Sequence, residues 1–185
     1  MKKTFNILGI PGSLRRQSYN LSALRAAQQL APEGVSLKIF DLNDIPGFNE
    51  DHEKNLPPKI VELKKQIRDS DAIIFATPEY NYSIPGVLKN AIDWVSRPYG
   101  ESAWTGKPAA IMGASVGSIA TARAQYHLRQ ICVNLNLLLL NQPEVMIGQA
   151  AQKFDAEGNL TDESTKKHIS KLIVSLVEWT ERLSR

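Results

Sequence analysis

Short apolar runs alternate with longer amphipathic segments along this 185-residue chain, and that alternation limits the possible folds more than any other feature of the sequence. The apolar runs predict β-strands at residues 5–10, 35–40, 72–76, 109–114 and within 137–147, where Pro143 interrupts or edges the last strand. The other segments predict helices at residues 18–30, 59–68, 87–95, 119–136 and 160–183. Because alternating strands and helices form a parallel sheet covered on both faces, we expect one α/β domain over residues 1–185.

Composition and charge exclude several classes of function. The formal net charge of +3, with 43% hydrophobic and 22% charged residues, is ordinary for a globular protein and gives no support to a nucleic-acid partner. No apolar run is long enough to span a bilayer, so we expect no membrane insertion. The single cysteine, Cys132, cannot form an internal disulfide, and we expect a buried structural thiol in a cytoplasmic protein.

The first predicted strand joins the first predicted helix through a polar segment, residues 12–20. A helix N-terminus attracts anions because its N–H groups are unpaired and its dipole end is positive. Ser13, Ser18 and Asn20 add short side-chain donors, and Arg15 or Arg16 can add positive charge. Ser18 also suits a simple N-cap, and the arginines could be solvated surface residues. The glycine fingerprints of dinucleotide and nucleoside-triphosphate sites are absent, so the segment favours a single phosphate monoester.

The segment after the third predicted strand, residues 77–86, suits a flat ligand. Two prolines stiffen it, Asn81 tolerates unusual backbone angles, and Tyr80 and Tyr82 offer aromatic faces. Rigid backbone groups there can hydrogen-bond the polar edge of a planar ring. The alternative is a proline-rich connection whose tyrosines only cover the sheet.

The segment after the fourth predicted strand, residues 113–117, matches G-x-S-x-G, the nucleophile turn of serine hydrolases. Ser115 would be the nucleophile, and His168 lies downstream. The chain is short for that fold, carries no HGGG-type segment and would leave residues 12–20 unexplained. A hydrolase is therefore a remote alternative.

Three motifs together resemble the NADPH-dependent FMN reductase family, in particular its bacterial chromate and quinone reductases. They are residues 12–20 (GSLRRQSYN), 78–86 (PEYNYSIPG) and 88–94 (LKNAIDW). The resemblance implies a flavodoxin-like three-layer sandwich with a five-stranded parallel sheet in the order 2-1-3-4-5. It implies bound FMN, NADPH or NADH as co-substrate, and ping-pong hydride transfer to quinones or similar small acceptors such as chromate, azo or nitro compounds.

The resemblance also implies roles for individual residues. The first loop would bind the FMN phosphate, the second would line the isoalloxazine ring, and the third would contact the ring or ribityl chain. The cofactor-binding residues would be Ser13, Arg15, Gln17, Ser18, Tyr19, Asn20, Pro78, Glu79, Tyr80, Asn81, Tyr82, Ser83, Ser115 and Gly117. Because the flavin carries the chemistry, no catalytic side chain is expected.

A homodimer or, more often, a homotetramer is also implied. Arg123, Tyr126 and Glu144 would form a hydrogen-bonded cluster between subunits near the acceptor site, and the alternative is a solvated helix face. The chain carries Ala120-Thr121 where relatives often have two glycines, and we expect these side chains to narrow the approach to the flavin.

Two further points concern rival functions and metals. A flavodoxin-type electron carrier is the non-enzymatic alternative, but such carriers are usually strongly acidic, and this chain is not. The three histidines are scattered and have no ligand spacing, so we expect no metal site.

Overall fold

Apolar side chains on both sides of the central strands determine the layers of the fold, which the computed structural model describes for residues 4–184. In Ala72–Ala76, Ile73 and Phe75 pack into one core cluster, whereas Ile74 packs into the other. A strand buried on both faces must be apolar at every position, which is why it appears in the sequence as a continuous run.

The sheet within residues 4–184 is parallel throughout. Its strands are β1 (Phe5–Pro11), β2 (Val35–Ile39), β3 (Ala72–Ala76), β4 (Pro108–Ala114), β5 (Leu138–Leu139) and β6 (Val145–Ile147). Their order is β2-β1-β3-β4, and both β5 and β6 pair with the outer edge of β4. This confirms the order 2-1-3-4-5. The expected fifth strand is in fact two short strands on either side of Pro143, because proline has no N–H for the ladder.

The helices lie on both faces of the sheet. They are α1 (Tyr19–Gln29), α2 (Pro58–Asp69), α3 (Gly86–Val95), α4 (Ala122–Asn134) and α5 (Glu163–Leu183), with 3₁₀ turns at Glu50–His52 and Ala150–Gln152. Helices α1 and α5 share one core cluster, which contains Leu24 and Leu172. Helices α2, α3 and α4 share the other, which contains Leu63, Leu88 and Leu128. The result is the expected three-layer arrangement.

Two helices begin three residues later than the sequence predicts, and each has a local cause. Helix α4 begins at Ala122 rather than at residue 119 because Ala120 has a left-handed φ of 57°, which a right-handed helix cannot include. Helix α5 begins at Glu163 rather than at residue 160 because Asp162 is its N-cap and accepts a 2.8 Å hydrogen bond from the Thr165 N–H.

Glycines allow the loops after β1, β3 and β4 to meet at the carboxyl edge of the sheet. A Cβ on Gly12 would lie 3.2 Å from Pro78 Cδ, so the first and second loops touch there. A Cβ on Gly113 would collide with the carbonyl oxygen of Thr77 and with the side chain of Thr121. Through these close approaches the three loops meet at one position on the carboxyl edge of the sheet.

Burial explains the state of the single thiol. Cys132 belongs to the core cluster of α2, α3 and α4, and desolvation raises the pKa of its thiol to about 12. It is therefore an unreactive core residue, as expected. Among the described residues, none of the helices combines the length and the apolar character that crossing a bilayer requires.

We expect Gly113→Ala to lower the free energy of unfolding by about 2–3 kcal/mol, because the methyl group has no room beside the Thr77 carbonyl. Urea unfolding measures this change. Gly86→Ala is the matched control: nothing lies within 4 Å of the added methyl, and the variant should be unchanged or about 0.5–1 kcal/mol more stable. Equal stabilities of the two variants would contradict the role given to Gly113.

Candidate functional site

The N-terminus of α1 has hydroxyl donors and no competing carboxylate. Ser18 is the N-cap, and its Oγ accepts a 3.3 Å hydrogen bond from the Leu21 N–H, so its own proton remains available. The buried Ser13 Oγ accepts a 3.3 Å bond from the Arg15 N–H and lies 3.5 Å from the Tyr80 hydroxyl. No acidic residue occupies the first turn of α1. The positive end of the helix is therefore free to bind an anion.

Other residues of the first loop have different surroundings. Arg15, Arg16 and Gln17 are exposed, while Tyr19 is half-buried. Asn20 is buried, and its side chain is already engaged: Oδ1 accepts a 2.8 Å bond from the Ala114 N–H, and Nδ2 donates a 3.0 Å bond to the Ala114 carbonyl. Asn20 therefore fastens α1 to the end of β4, and its role as a phosphate donor stays a prediction.

The second loop is a two-residue hairpin turn that projects aromatic rings. Tyr80 and Ser83 exchange two 3.0 Å backbone hydrogen bonds, and Asn81 and Tyr82 between them have φ values of 49° and 68°. Two successive left-handed residues form a type I′ turn. Asparagine tolerates this conformation, but a tyrosine there is uncommon and must be held by its surroundings. Tyr82 is nevertheless 67% exposed.

Glu79 joins this turn to α4. Its carboxylate accepts hydrogen bonds of 3.0 Å and 3.2 Å from the N–H groups of Arg123 and Ala124, the first turn of α4. Thr121, at the N-cap position, makes no side-chain cap, so Glu79 caps the helix from a distant loop. The Glu79 side chain is 6% exposed and also pairs with the Arg123 guanidinium. Because its oxygens face α4, the Glu79 side chain supports the loop.

Arg123 and His127 hold the tip of the turn. The Arg123 guanidinium lies over the Tyr82 ring, 3.7 Å from its centroid, in a cation–π contact. The hydrogen bond with Glu79 raises the pKa of Arg123, which keeps this group charged. One turn along α4, His127 Nδ1 lies 3.1 Å from Ser83 Oγ. The sequence patterns did not indicate Glu79 as a cap or His127 as a contact, because both depend on how α4 packs.

The third loop is fixed to β6. The Ser115 N–H donates to the Ile147 carbonyl (2.9 Å), and the Ser115 carbonyl accepts from the Ala150 N–H (3.0 Å). Ser115 Oγ accepts a 3.3 Å bond from the Gly117 N–H. These bonds present the Ser115–Gly117 segment toward the first two loops on a rigid frame.

Ser115 does not have the surroundings of a hydrolase nucleophile. Across residues 4–184, its Oγ has the Gly117 N–H as hydrogen-bond partner rather than a histidine. His168 Nδ1 instead contacts the Ser164 carbonyl at 2.7 Å in α5. The G-x-S-x-G match is thus a turn motif without the base that hydrolysis needs.

Residues 120 and 121 do not obstruct the site. Thr121 is fully buried, and its Oγ1 accepts a 3.0 Å bond from Gln125 Nε2. Ala120 is buried as well. Side chains that faced a ligand site would be exposed in its absence, so the expected narrowing is wrong.

The proposed acceptor-site residues point to different partners within one chain. Arg123 is engaged with Glu79, whereas Glu144 Oε1 lies 3.9 Å from Arg129 Nε. Tyr126 is exposed. A cluster of Arg123, Tyr126 and Glu144 is therefore not formed inside the chain, and a contact between subunits stays a prediction.

An exposed apolar rim surrounds the three loops. Leu14 of the first loop, Val116 and Ile119 of the third, and Tyr126 of α4 are all exposed, together with the two tyrosines of the turn. Monomeric proteins rarely expose so many large apolar side chains in one place unless a ligand or partner covers them. The sequence offered a signal for this, since Val116 and Ile119 are large apolar residues in a Gly- and Ser-rich loop.

Comparison with known proteins identifies the family. The family model for NADPH-dependent FMN reductase matches residues 5–152. An NAD(P)H-dependent FMN reductase of Pseudomonas aeruginosa is 51% identical over 184 residues, 99% of each chain. A 2-hydroxy-1,4-benzoquinone reductase of Burkholderia sp. is 44% identical over 170 residues, 92% of this chain and 93% of its own.

A solved structure agrees. The flavoenzyme FerB of Paracoccus denitrificans, an NAD(P)H:(acceptor) oxidoreductase, superposes with a TM-score of 0.88 at 37% identity, covering 96% of this chain and 98% of its own. The match extends over the whole architecture that carries the three loops. This chain belongs to the NADPH-dependent FMN reductase family.

Proposed function

We propose that this protein is a cytoplasmic, single-domain FMN enzyme that oxidises NADPH or NADH and reduces quinones, with its active site where the three loops meet. The observation that carries the proposal is the pairing of an anion-ready helix N-terminus, at Ser13 and Ser18, with the exposed aromatic turn at Tyr80 and Tyr82. A molecule with a phosphate at one end and a flat ring at the other suits both the helix N-terminus and the aromatic turn.

The donor set fits the FMN phosphate. The Ser18 hydroxyl and the N–H groups of the first turn of α1 would bind its oxygens, and Ser13 and Arg15 would add a hydroxyl and a charge. Gln17 is exposed beside them. Asn20 would act indirectly by holding α1 against β4.

The second and third loops fit the ring. The I′ turn would place the backbone of Pro78–Ser83 along one edge of the isoalloxazine, with Tyr80 and Tyr82 at its sides, and Ser115 and Gly117 would lie against the ring or ribityl chain. Bound FMN would supply the redox chemistry that links the nicotinamide to the acceptor. The chain's own contribution is to orient the reactants and to exclude water.

The exposed rim suits flat apolar acceptors. Tyr82, Val116 and Ile119 form an aromatic and aliphatic border rather than a charged one, which favours quinones. Azo and nitro aromatics share that shape, and chromate would need the Arg123 charge. The same rim supports a homodimer or homotetramer in which a second copy covers Leu14 and Tyr126.

We expect Ser18→Asp to weaken FMN binding about a hundredfold while leaving the apoprotein nearly as stable. Aspartate caps a helix as well as serine does, so the free energy of unfolding should stay within about 0.5 kcal/mol. Its carboxylate, however, repels a phosphate and cannot donate to it. Titration of the apoprotein with FMN measures the change, and riboflavin, which lacks the phosphate, is the control ligand. Unchanged FMN affinity would place the phosphate elsewhere.

We expect Glu79→Gln to lower the free energy of unfolding by about 1–3 kcal/mol and to raise KM for 1,4-benzoquinone. The amide cannot form the ion pair with Arg123. Without that pair, the Arg123 guanidinium is no longer fixed over the Tyr82 ring. Urea unfolding and steady-state kinetics measure the two effects. The control is Glu178→Gln, on the exposed side of α5, which should change neither. A wild-type KM would mean that Tyr82 keeps its place without Arg123.

We expect parallel lines in double-reciprocal plots when NADPH and 1,4-benzoquinone are varied together. Nicotinamide and quinone are both flat rings, and we expect both to occupy the same place beside the exposed Tyr82 and Val116, so one has to leave before the other binds. Intersecting lines would show two separate sites. Ser115→Ala should retain turnover, since no covalent intermediate on this hydroxyl is involved.

A further inference from the structure

A groove lies beside the first loop, on the side of α1, and its lining does not include the tyrosines of the I′ turn. Its volume is about 340 Å³, within the range of small-molecule sites. One wall carries Arg15, Arg16 and Arg25, and the opposite wall is the turn that contains Asp155 and Glu157. The function proposed above leaves Arg16, Arg25 and this groove unused.

The groove is built by close packing rather than by loose surface side chains. Gly158 has a left-handed φ of 84°, and a Cβ there would lie 2.8 Å from Ser22 Oγ, so the turn presses directly on α1. The Tyr19 ring contacts the Phe154 ring with centroids 5.5 Å apart, which joins the two walls. An aromatic side chain therefore lines the groove between the arginines and the turn.

Within residues 4–184, the arginines on this wall have no protein partner. In the described part of the chain, the side chains of Arg15, Arg16 and Arg25 make no ion pair or hydrogen bond, although two carboxylates line the same groove. Asp155 is satisfied by its own turn, because its oxygens accept bonds of 2.7 Å and 2.9 Å from Asn159, which lowers its pKa. The guanidinium groups are thus free to bind an anion.

We propose that this groove binds the 2′-phosphoadenosine end of NADPH, with Arg16 and Arg25 on the 2′-phosphate. Two guanidinium groups match a phosphate dianion, Tyr19 offers an aromatic face for a purine, and Asp155 can accept from ribose hydroxyls. The groove shares residues 15–17 with the loop proposed for the FMN phosphate, which puts it at the border of the active site. This inference rests on the proposed function and adds a physical reason for the enzyme to prefer NADPH to NADH.

The test uses the FMN-loaded enzyme at about 0.15 M salt, where long-range charge effects are screened. Arg16→Gln/Arg25→Gln should weaken 2′,5′-ADP about tenfold in calorimetric titration and leave 5′-AMP unchanged. The KM for NADPH should rise by a similar factor, with kcat and the KM for NADH unchanged. Arg182→Gln, an exposed arginine on the last turn of α5, is the matched control and should alter none of these values.

A second variant tests the sign of the effect. Glu157→Gln removes a carboxylate from the groove, so it should tighten 2′,5′-ADP about threefold without affecting 5′-AMP. If Glu157→Gln weakened the binding of 2′,5′-ADP, the proposal that this groove binds a phosphate would be wrong.

The remaining outcomes separate this inference from the proposed function. Three results would each overturn the inference. They are unchanged 2′,5′-ADP binding in the double variant, an equal rise in KM for NADH and NADPH, and an equal loss of 2′,5′-ADP affinity in Arg182→Gln. Loss of the flavin absorbance in the double variant would assign these arginines to the FMN phosphate and overturn it as well. Failure of the proposed function looks different, since the wild-type enzyme would then oxidise neither NADPH nor NADH with a quinone.

Discussion

The Glu79 carboxylate is the interaction on which the geometry of the site depends. It is almost completely buried, caps the N-terminus of α4 and binds the Arg123 guanidinium. Through Arg123 it reaches the Tyr82 ring, and the same helix reaches Ser83 through His127. A buried carboxylate is stable only when its oxygens are paired, so the turn and the helix can keep their positions only together.

This coupling explains how an uncommon backbone conformation persists. Tyr82 has a φ of 68°, which costs free energy for any residue with a side chain. The contacts with α4 offset that cost and leave the ring exposed instead of folded onto the protein. The turn therefore keeps a fixed shape with its aromatic ring exposed.

Close backbone approaches are the second requirement for the geometry of the site. The three loops can come together only where a glycine leaves room for a neighbouring segment. Gly12 lets the first loop touch Pro78, and Gly113 lets β4 pass beneath the Thr77 carbonyl. Asn20 completes the arrangement by joining α1 to Ala114. Two polar residues of the first loop thus have different roles. Ser18 caps α1 and keeps a proton to donate, while Asn20 joins α1 to the end of β4.

The periodicity of apolar residues determined the layers, because a strand buried on both faces has to be apolar throughout. The residue types alone also identified the polar first loop and the aromatic second loop as candidate ligand sites. Other features needed the tertiary structure. The sequence could not show that Glu79 faces α4 instead of a ring, that Asn20 is engaged with Ala114, or that Thr121 is buried, because each follows from contacts between residues far apart in the chain. Local patterns report which groups are present, whereas packing decides which of them remain free for a ligand.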